Sequence, residues 1–212
     1  MSITVAKSAG FCFGVQRAVE LVYHLVNEGK QVCTLGPIIH NPQVVDDLEK
    51  KGVRTVDSPK EVREGEVLVI RSHGVAKDVY DYLCVNHLPF EDATCPFVAK
   101  IHKIVADYSE KGYTVLIAGD PNHPEVQGIA GHSRSGAFIF DSLEKLEKLM
   151  EEHAELKEKP AIMVSQTTFR QKLWETCRKT AKNYYTNLLI FDTICNATSR
   201  RQQEAVQLAG GS

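Results

Sequence analysis

Gly36-Pro37-Ile38-Ile39-His40-Asn41-Pro42 follows the strand-like run Gln31–Leu35, and Gly119-Asp120-Pro121-Asn122-His123-Pro124-Glu125 follows the apolar run Val115–Ala118. Both read as strand, Gly, three residues, His, then a Pro able to open a helix. The two histidines lie 83 residues apart. A second pair of landmarks, Cys12 in Gly10-Phe11-Cys12-Phe13-Gly14 and Cys95 in Ala93-Thr94-Cys95-Pro96-Phe97, is also separated by 83 residues. Two unrelated landmarks displaced by one interval point to two copies of one unit. Cys195, in Thr193-Ile194-Cys195-Asn196-Ala197, opens a third copy. Its histidine would fall at about position 223, past residue 212, so the sequence is expected to break off inside its third unit.

Outward from these landmarks, short apolar runs alternate with helical periodicity. Strands are expected at Ile3–Ala6, Gln31–Leu35, Val67–Ile70, Val115–Ala118, Phe138–Phe140, Ala161–Val164 and Leu188–Phe191. Helices are expected from Val15 to Gly29, from Pro42 to Gly52, over Asp78–Leu83, from Pro96, from Pro124, after the Ser142 cap, over Leu173–Tyr184 and from near Ser199. This alternation specifies an α/β fold with small parallel sheets built from right-handed βαβ units. The repeat divides the chain into residues 1–12 (belonging with the third unit), 13–96, 97–194 and 195–212. Gly210-Gly211-Ser212 reads as a cloning remnant or a frayed stop rather than structure.

With 43% hydrophobic residues, 212 residues suffice for one or two cores. A net charge of −2 offers no footprint for nucleic acid. No apolar run is long enough for a membrane span and the N-terminus lacks a secretory h-region, so a cytoplasmic protein is expected. In that compartment six cysteines do not form a disulfide framework. No phosphate-binding Gly-rich motif follows a strand, which argues against a nucleotide-binding protein.

Cys12, Cys95 and Cys195 each lie between an extended segment and a helix. Thiolates select iron–sulfur clusters, zinc or Cu(I). Ligands spread this widely do not match zinc ribbons or small ferredoxins, but they suit a cluster where three repeated units meet. Three ligands on a four-iron cluster leave one iron free to bind a substrate oxygen, as the open position of a catalytic zinc site does. The competing reading is a structural iron–sulfur or zinc module. Such a site normally closes its shell with a fourth protein ligand, and no fourth cysteine occupies an equivalent junction. Cys33, Cys84 and Cys177 fall in or beside regular elements and read as core or surface thiols.

His40, His73 and His123 all follow strands, at the carboxyl ends where parallel sheets bind ligands. Imidazoles and helix N-termini can hold a diphosphate without a lysine cluster. Glu125 could carry a proton to a leaving hydroxyl or simply complement a helix dipole. Thr167, in Ser165-Gln166-Thr167-Thr168, could orient substrate or water, or cap the next helix. His24, His87, His102, His132 and His153 read as solvated.

The segments Gly-Phe-Cys-x-Gly-Val-x-Arg-Ala (10–18), Ile-His-Asn (39–41), Ser-His-Gly-Val (72–75), Asp-Ala-Thr-Cys-Pro (92–96), Gly-x-x-x-His-Pro-Glu-Val (119–126), Ser-Gln-Thr-Thr (165–168), and Cys195 through Arg201-Gln202 and Glu204-Ala205-Val206 resemble, in order, the 4-hydroxy-3-methylbut-2-enyl diphosphate reductases of the non-mevalonate isoprenoid pathway. The resemblance implies a trefoil of three α/β units around a 4Fe-4S cluster on Cys12, Cys95 and Cys195. It implies that His40, His73 and His123 surround the diphosphate, Glu125 donates the proton and Thr167 orients substrate or water. The implied reaction is two-electron, two-proton removal of an allylic hydroxyl, with ferredoxin or flavodoxin as electron donor. With most of the third unit absent, the phosphate cradle would be incomplete, activity impaired and an apolar face exposed.

Overall fold

A computed structural model describes residues 4–210. The elements run α1 (Phe13–Asn27), β1 (Gln31–Leu35), α2 (Pro42–Lys50), β2 (Arg54–Val56), β3 (Glu66–Ile70), α3 (Lys77–Val85), β4 (Phe90–Asp92), α4 (Pro96–Glu110), β5 (Thr114–Ala118), α5 (Pro124–Ala130), β6 (Phe138–Phe140), α6 (Leu143–Glu152), β7 (Ala161–Ser165), α7 (Gln171–Tyr184), β8 (Leu188–Ile190) and α8 (Asn196–Gly210).

Two parallel four-stranded sheets result, in orders β2-β1-β3-β4 and β6-β5-β7-β8. The second is the first repeated. Gln31–Leu35 pairs residue for residue with Glu66–Ile70, and Thr114–Ala118 pairs with Ala161–Ser165 in the same way. The exits match too. Gly36 N–H donates to Val56 O and Gly119 N–H to Phe140 O, both at 2.8 Å. The repeat in the sequence is therefore a repeat of topology.

The central strands carry continuous apolar runs because helices cover both faces. Leu68, Val69 and Ile70 are fully buried, as are all five residues of β7. In the second sheet's unit, Trp174 lies fully buried among Leu116, Phe140, Leu146 and Met163. Helix starts follow their capping residues. Asn41 Oδ1 accepts the Val44 N–H at 3.2 Å ahead of Pro42, and Ser142 Oγ accepts the Lys145 N–H at 3.3 Å.

Some expectations need correction. Thr4–Ala6 form no strand, and Ile3 lies outside the described residues. β2 and β4, three residues each and both carrying charged side chains, join the sheet edges although their composition does not announce strands. α8 begins at Asn196 rather than near Ser199, immediately after its cysteine, and it includes Gly210. Gly211 and Ser212 lie outside the described residues.

By contacts the chain forms two units, and their limits do not follow the repeat boundaries. Phe13–Ala106 and Asn122–Arg134 make up the unit of the first sheet. The segment ending at Cys12, Asp107–Pro121 and everything from Ser135 onward make up the unit of the second. Asn122–Arg134, which includes α5, thus packs in the unit of the first sheet, although by sequence it follows β5 of the second.

Candidate functional site

In the first-sheet unit, His40 follows β1 by five residues, His73 follows β3 by three, and His123 is the N-cap of α5. Their ring centroids lie 4.5 Å (His40–His73), 5.5 Å (His40–His123) and 5.4 Å (His73–His123) apart. One nitrogen from each ring lies within 4.8 Å of the others, a spacing that can hold a metal ion or several oxygens of one anion. His40 is exposed, while His73 and His123 are half-buried. Burial, reinforced by repulsion from His40, His123 and Arg71, pushes His73 down to about 3, so its ring is neutral near pH 7.

The Glu125 backbone N–H donates to His123 Nδ1 at 3.1 Å. That bond requires a lone pair on Nδ1, so the neutral ring carries its proton on Nε2 and Nε2 is a donor. Glu125, two residues along in the first turn of α5, is buried, with only 2% of the residue exposed.

Cys95 also belongs to the first-sheet unit. It immediately precedes Pro96, the first residue of α4, and its N–H donates to Ser72 O at 2.9 Å, one residue before His73. Gly14 in α1 passes close by, and a Cβ there would sit 2.5 Å from Cys95 Sγ. From the same helix, the Arg17 guanidinium donates to the carbonyls of Asp92 and Thr94, each at 3.1 Å, and braces the approach to Cys95.

In the second-sheet unit, Cys195 immediately precedes α8, and its N–H donates to Thr167 O at 2.8 Å. Thr167 thus stands to Cys195 as Ser72 stands to Cys95. Thr193 Oγ1 accepts the Ser165 N–H at 2.7 Å and donates to Ser165 O at 2.8 Å, holding the strand exits together. α8 also grips the segment before Cys12. Arg201 donates to Ser8 O at 3.1 Å and Gly10 O at 2.5 Å, and Glu204 accepts the N–H groups of Lys7 and Ser8 at 2.6 and 2.8 Å. Neither role of Arg201 and Glu204 was legible in their local sequence.

All three candidate cysteines, Cys12, Cys95 and Cys195, are half-buried and immediately precede a helix. Cys33 and Cys177 are different. Burial raises each to about 11 and leaves it an inert thiol, while Cys84 is simply exposed. Among the remaining histidines, His24 and His87 are exposed and His153 is half-buried. His102 and His132 correct the expectation of solvated rings. His102 is 5% exposed inside α4 and stacks on His132. Its place beside Ile101 in the buried stripe of Val98, Ile101 and Val105 is the signal that could have revealed this.

No helix among the described residues is long and apolar enough to cross a membrane. The sequence model of the family described as LytB protein matches residues 3–211. The 4-hydroxy-3-methylbut-2-enyl diphosphate reductase of Caldanaerobacter subterraneus subsp. tengcongensis is 46% identical over 213 residues, an alignment that takes in 99% of this chain and 72% of that protein. The Clostridioides difficile protein of the same name is 39% identical, with 99% and 74% covered. A solved structure of (E)-4-hydroxy-3-methyl-but-2-enyl diphosphate reductase, the terminal enzyme of the non-mevalonate pathway, superimposes with a TM-score of 0.81 at 36% identity over 98% of this chain and 73% of that one. The chain therefore belongs to the LytB protein family, alongside enzymes named 4-hydroxy-3-methylbut-2-enyl diphosphate reductase.

Proposed function

We propose that the protein is a cytoplasmic iron–sulfur oxidoreductase of isoprenoid synthesis. It removes the allylic hydroxyl of 4-hydroxy-3-methylbut-2-enyl diphosphate and gives isopentenyl and dimethylallyl diphosphates. The carrying observation is the histidine triad. Its spacing alone suits a cation or an anion, but His123 presents Nε2–H, a donor, which favours phosphate oxygens over a metal ion. With His73 neutral, the pocket binds by directed hydrogen bonds as much as by charge.

Cys12, Cys95 and Cys195 are proposed to hold a 4Fe-4S cluster. Three half-exposed thiols, each at a helix N-terminus, form a soft, electron-rich donor set. The missing Cβ of Gly14 leaves open the space beside Cys95 Sγ that any other residue would fill. Bound there, the cluster supplies electrons received from ferredoxin or flavodoxin and a Lewis-acidic iron for the hydroxyl oxygen.

The residues of the chain do the rest. His40, His73 and His123 hold and orient the diphosphate. The buried Glu125 carboxyl delivers a proton to the departing hydroxyl, which leaves as water. Thr167 orients substrate or that water. In balance, one C–O bond breaks, one C–H bond forms, and two electrons and two protons are taken up.

Anaerobic reconstitution with iron and sulfide tests this reading. It expects about four irons per chain, matching sulfide, and loss of both in Cys12→Ser, Cys95→Ser and Cys195→Ser but not in Cys33→Ser. Stoichiometric zinc with no iron uptake would overturn it.

A further inference from the structure

Beneath the histidine triad lies a second pair of imidazoles. His102 and His132 stack with ring centroids 4.1 Å apart and planes inclined by 21°. His102 comes from α4, and His132 follows α5, two residues past its last residue. The pair touches both arms of the triad. On the His73 side, Gly74 follows His73 directly and has φ +69, and a Cβ there would lie 2.5 Å from His102 Cε1 and 3.1 Å from Thr94 Cγ2. On the α5 side, a Cβ at Gly128 would lie 3.5 Å from His102 Nε2 and 3.6 Å from His73 O. His132 closes the arrangement, with Nε2 3.1 Å from Val75 O. The Lys77 N–H adds a bond to Gly131 O at 3.4 Å.

Two features set this pair apart from ordinary core filling. His102 Nε2 is buried with no hydrogen-bond partner among the described atoms, a cost no aliphatic residue would carry. Burial, aided by the neighbouring His132, also pushes His102 down to about 3, so the ring is neutral and can stack without repulsion.

We propose that the stacked His102–His132 pair is a positioning device that fixes the loop bearing His73 against the helix bearing His123 and Glu125, and so sets the width of the diphosphate site. This rests on the reading of the triad as that site. Neither ring touches the ligand. Both act through Gly74, Val75 and Gly128, which they contact. The contact surface of His102, rather than a hydrogen bond from its Nε2, carries the effect.

Inorganic diphosphate binding to the full chain, measured by calorimetry, tests the proposal, alongside long-range 1H–15N spectra of the histidine rings. His102→Ala is expected to weaken binding about tenfold and to shift the His73 and His123 ring signals. His102→Phe, which keeps a flat ring, should stay within about threefold of the parent. His132→Ala should match His102→Ala, and the double variant should lose little more than either single one. Should His102→Ala fail to fold, His132→Ala and His102→Phe carry the test. Unchanged affinity and ring signals in the variants that remove the stack would overturn the positioning role. His73→Ala and His123→Ala serve as references. If both still bind diphosphate normally, the site assignment itself fails; if they lose binding while the stack variants keep it, only the positioning role fails.

Discussion

Glu125 donates its backbone N–H to Nδ1 of His123 at 3.1 Å while its own carboxyl is buried in the same helical turn. One local bond thus fixes the tautomer of a proposed phosphate ligand and places a proposed proton donor beside it. The two roles separate by mutation. Glu125→Gln should lower turnover by about 10²–10⁴-fold yet keep inorganic diphosphate affinity within about threefold. His123→Ala should weaken that affinity about 10- to 100-fold. Comparable effects of both variants on binding would show that the roles are not divided in this way.

Gly14 makes a steric prediction. An added Cβ would lie 2.5 Å from Cys95 Sγ, so Gly14→Ala must push the sulfur or α1 aside. Circular dichroism should remain that of the parent while iron per reconstituted chain falls by about half or more. Full iron loading in Gly14→Ala would mean that the space beside Cys95 is not needed.

The buried imidazoles make a prediction about acid. His73 and His102 both sit near 3 in the folded chain, against an ordinary value of 6.5. As pH falls through that ordinary value, the unfolded chain binds protons that the folded chain refuses. Their stabilisation is therefore complete above about pH 6.5 and drains away as pH falls toward 3. Denaturant titrations between about pH 7 and pH 4.5 should show His102→Phe losing less stability than the parent. Parallel losses would contradict the buried, neutral state of His102.

Much of the fold was legible because its signals are local. Apolar runs announced β3, β5 and β7, a strand-like run announced β1, and the evenly displaced cysteine and histidine landmarks announced the repeat. β2 and β4 escaped because Arg54-Thr55-Val56 and Phe90-Glu91-Asp92 are too short and too charged to read as strands; only pairing with β1 and β3 makes them so. The packing of Asn122–Arg134 in the first-sheet unit escaped for a different reason. It depends on contacts such as His132 with Val75, 57 residues apart, which no local pattern encodes. The His102–His132 stack was hidden for the same reason.

Glu66 makes a stability prediction outside the site. Its carboxylate is 6% exposed and accepts from Arg54 at 2.7 Å and from the Arg63 N–H at 2.9 Å. Desolvation opposes its charge, but these donors prevail and hold the group below the usual carboxylate range. Arg54→Ala should cost about 2–3 kcal/mol by chemical denaturation, less than a fully buried pair because Arg54 keeps 29% exposure. A cost under about 0.5 kcal/mol would show that water replaces the arginine.

Adding 4-hydroxy-3-methylbut-2-enyl diphosphate to the anaerobically reconstituted chain, followed by visible and EPR spectra, tests the proposed chemistry most directly. The account predicts a cluster spectrum that shifts with substrate, a shift abolished in His123→Ala, and slow formation of isopentenyl and dimethylallyl diphosphates on addition of reduced flavodoxin. A fully loaded cluster that ignores the substrate and yields neither product would contradict it.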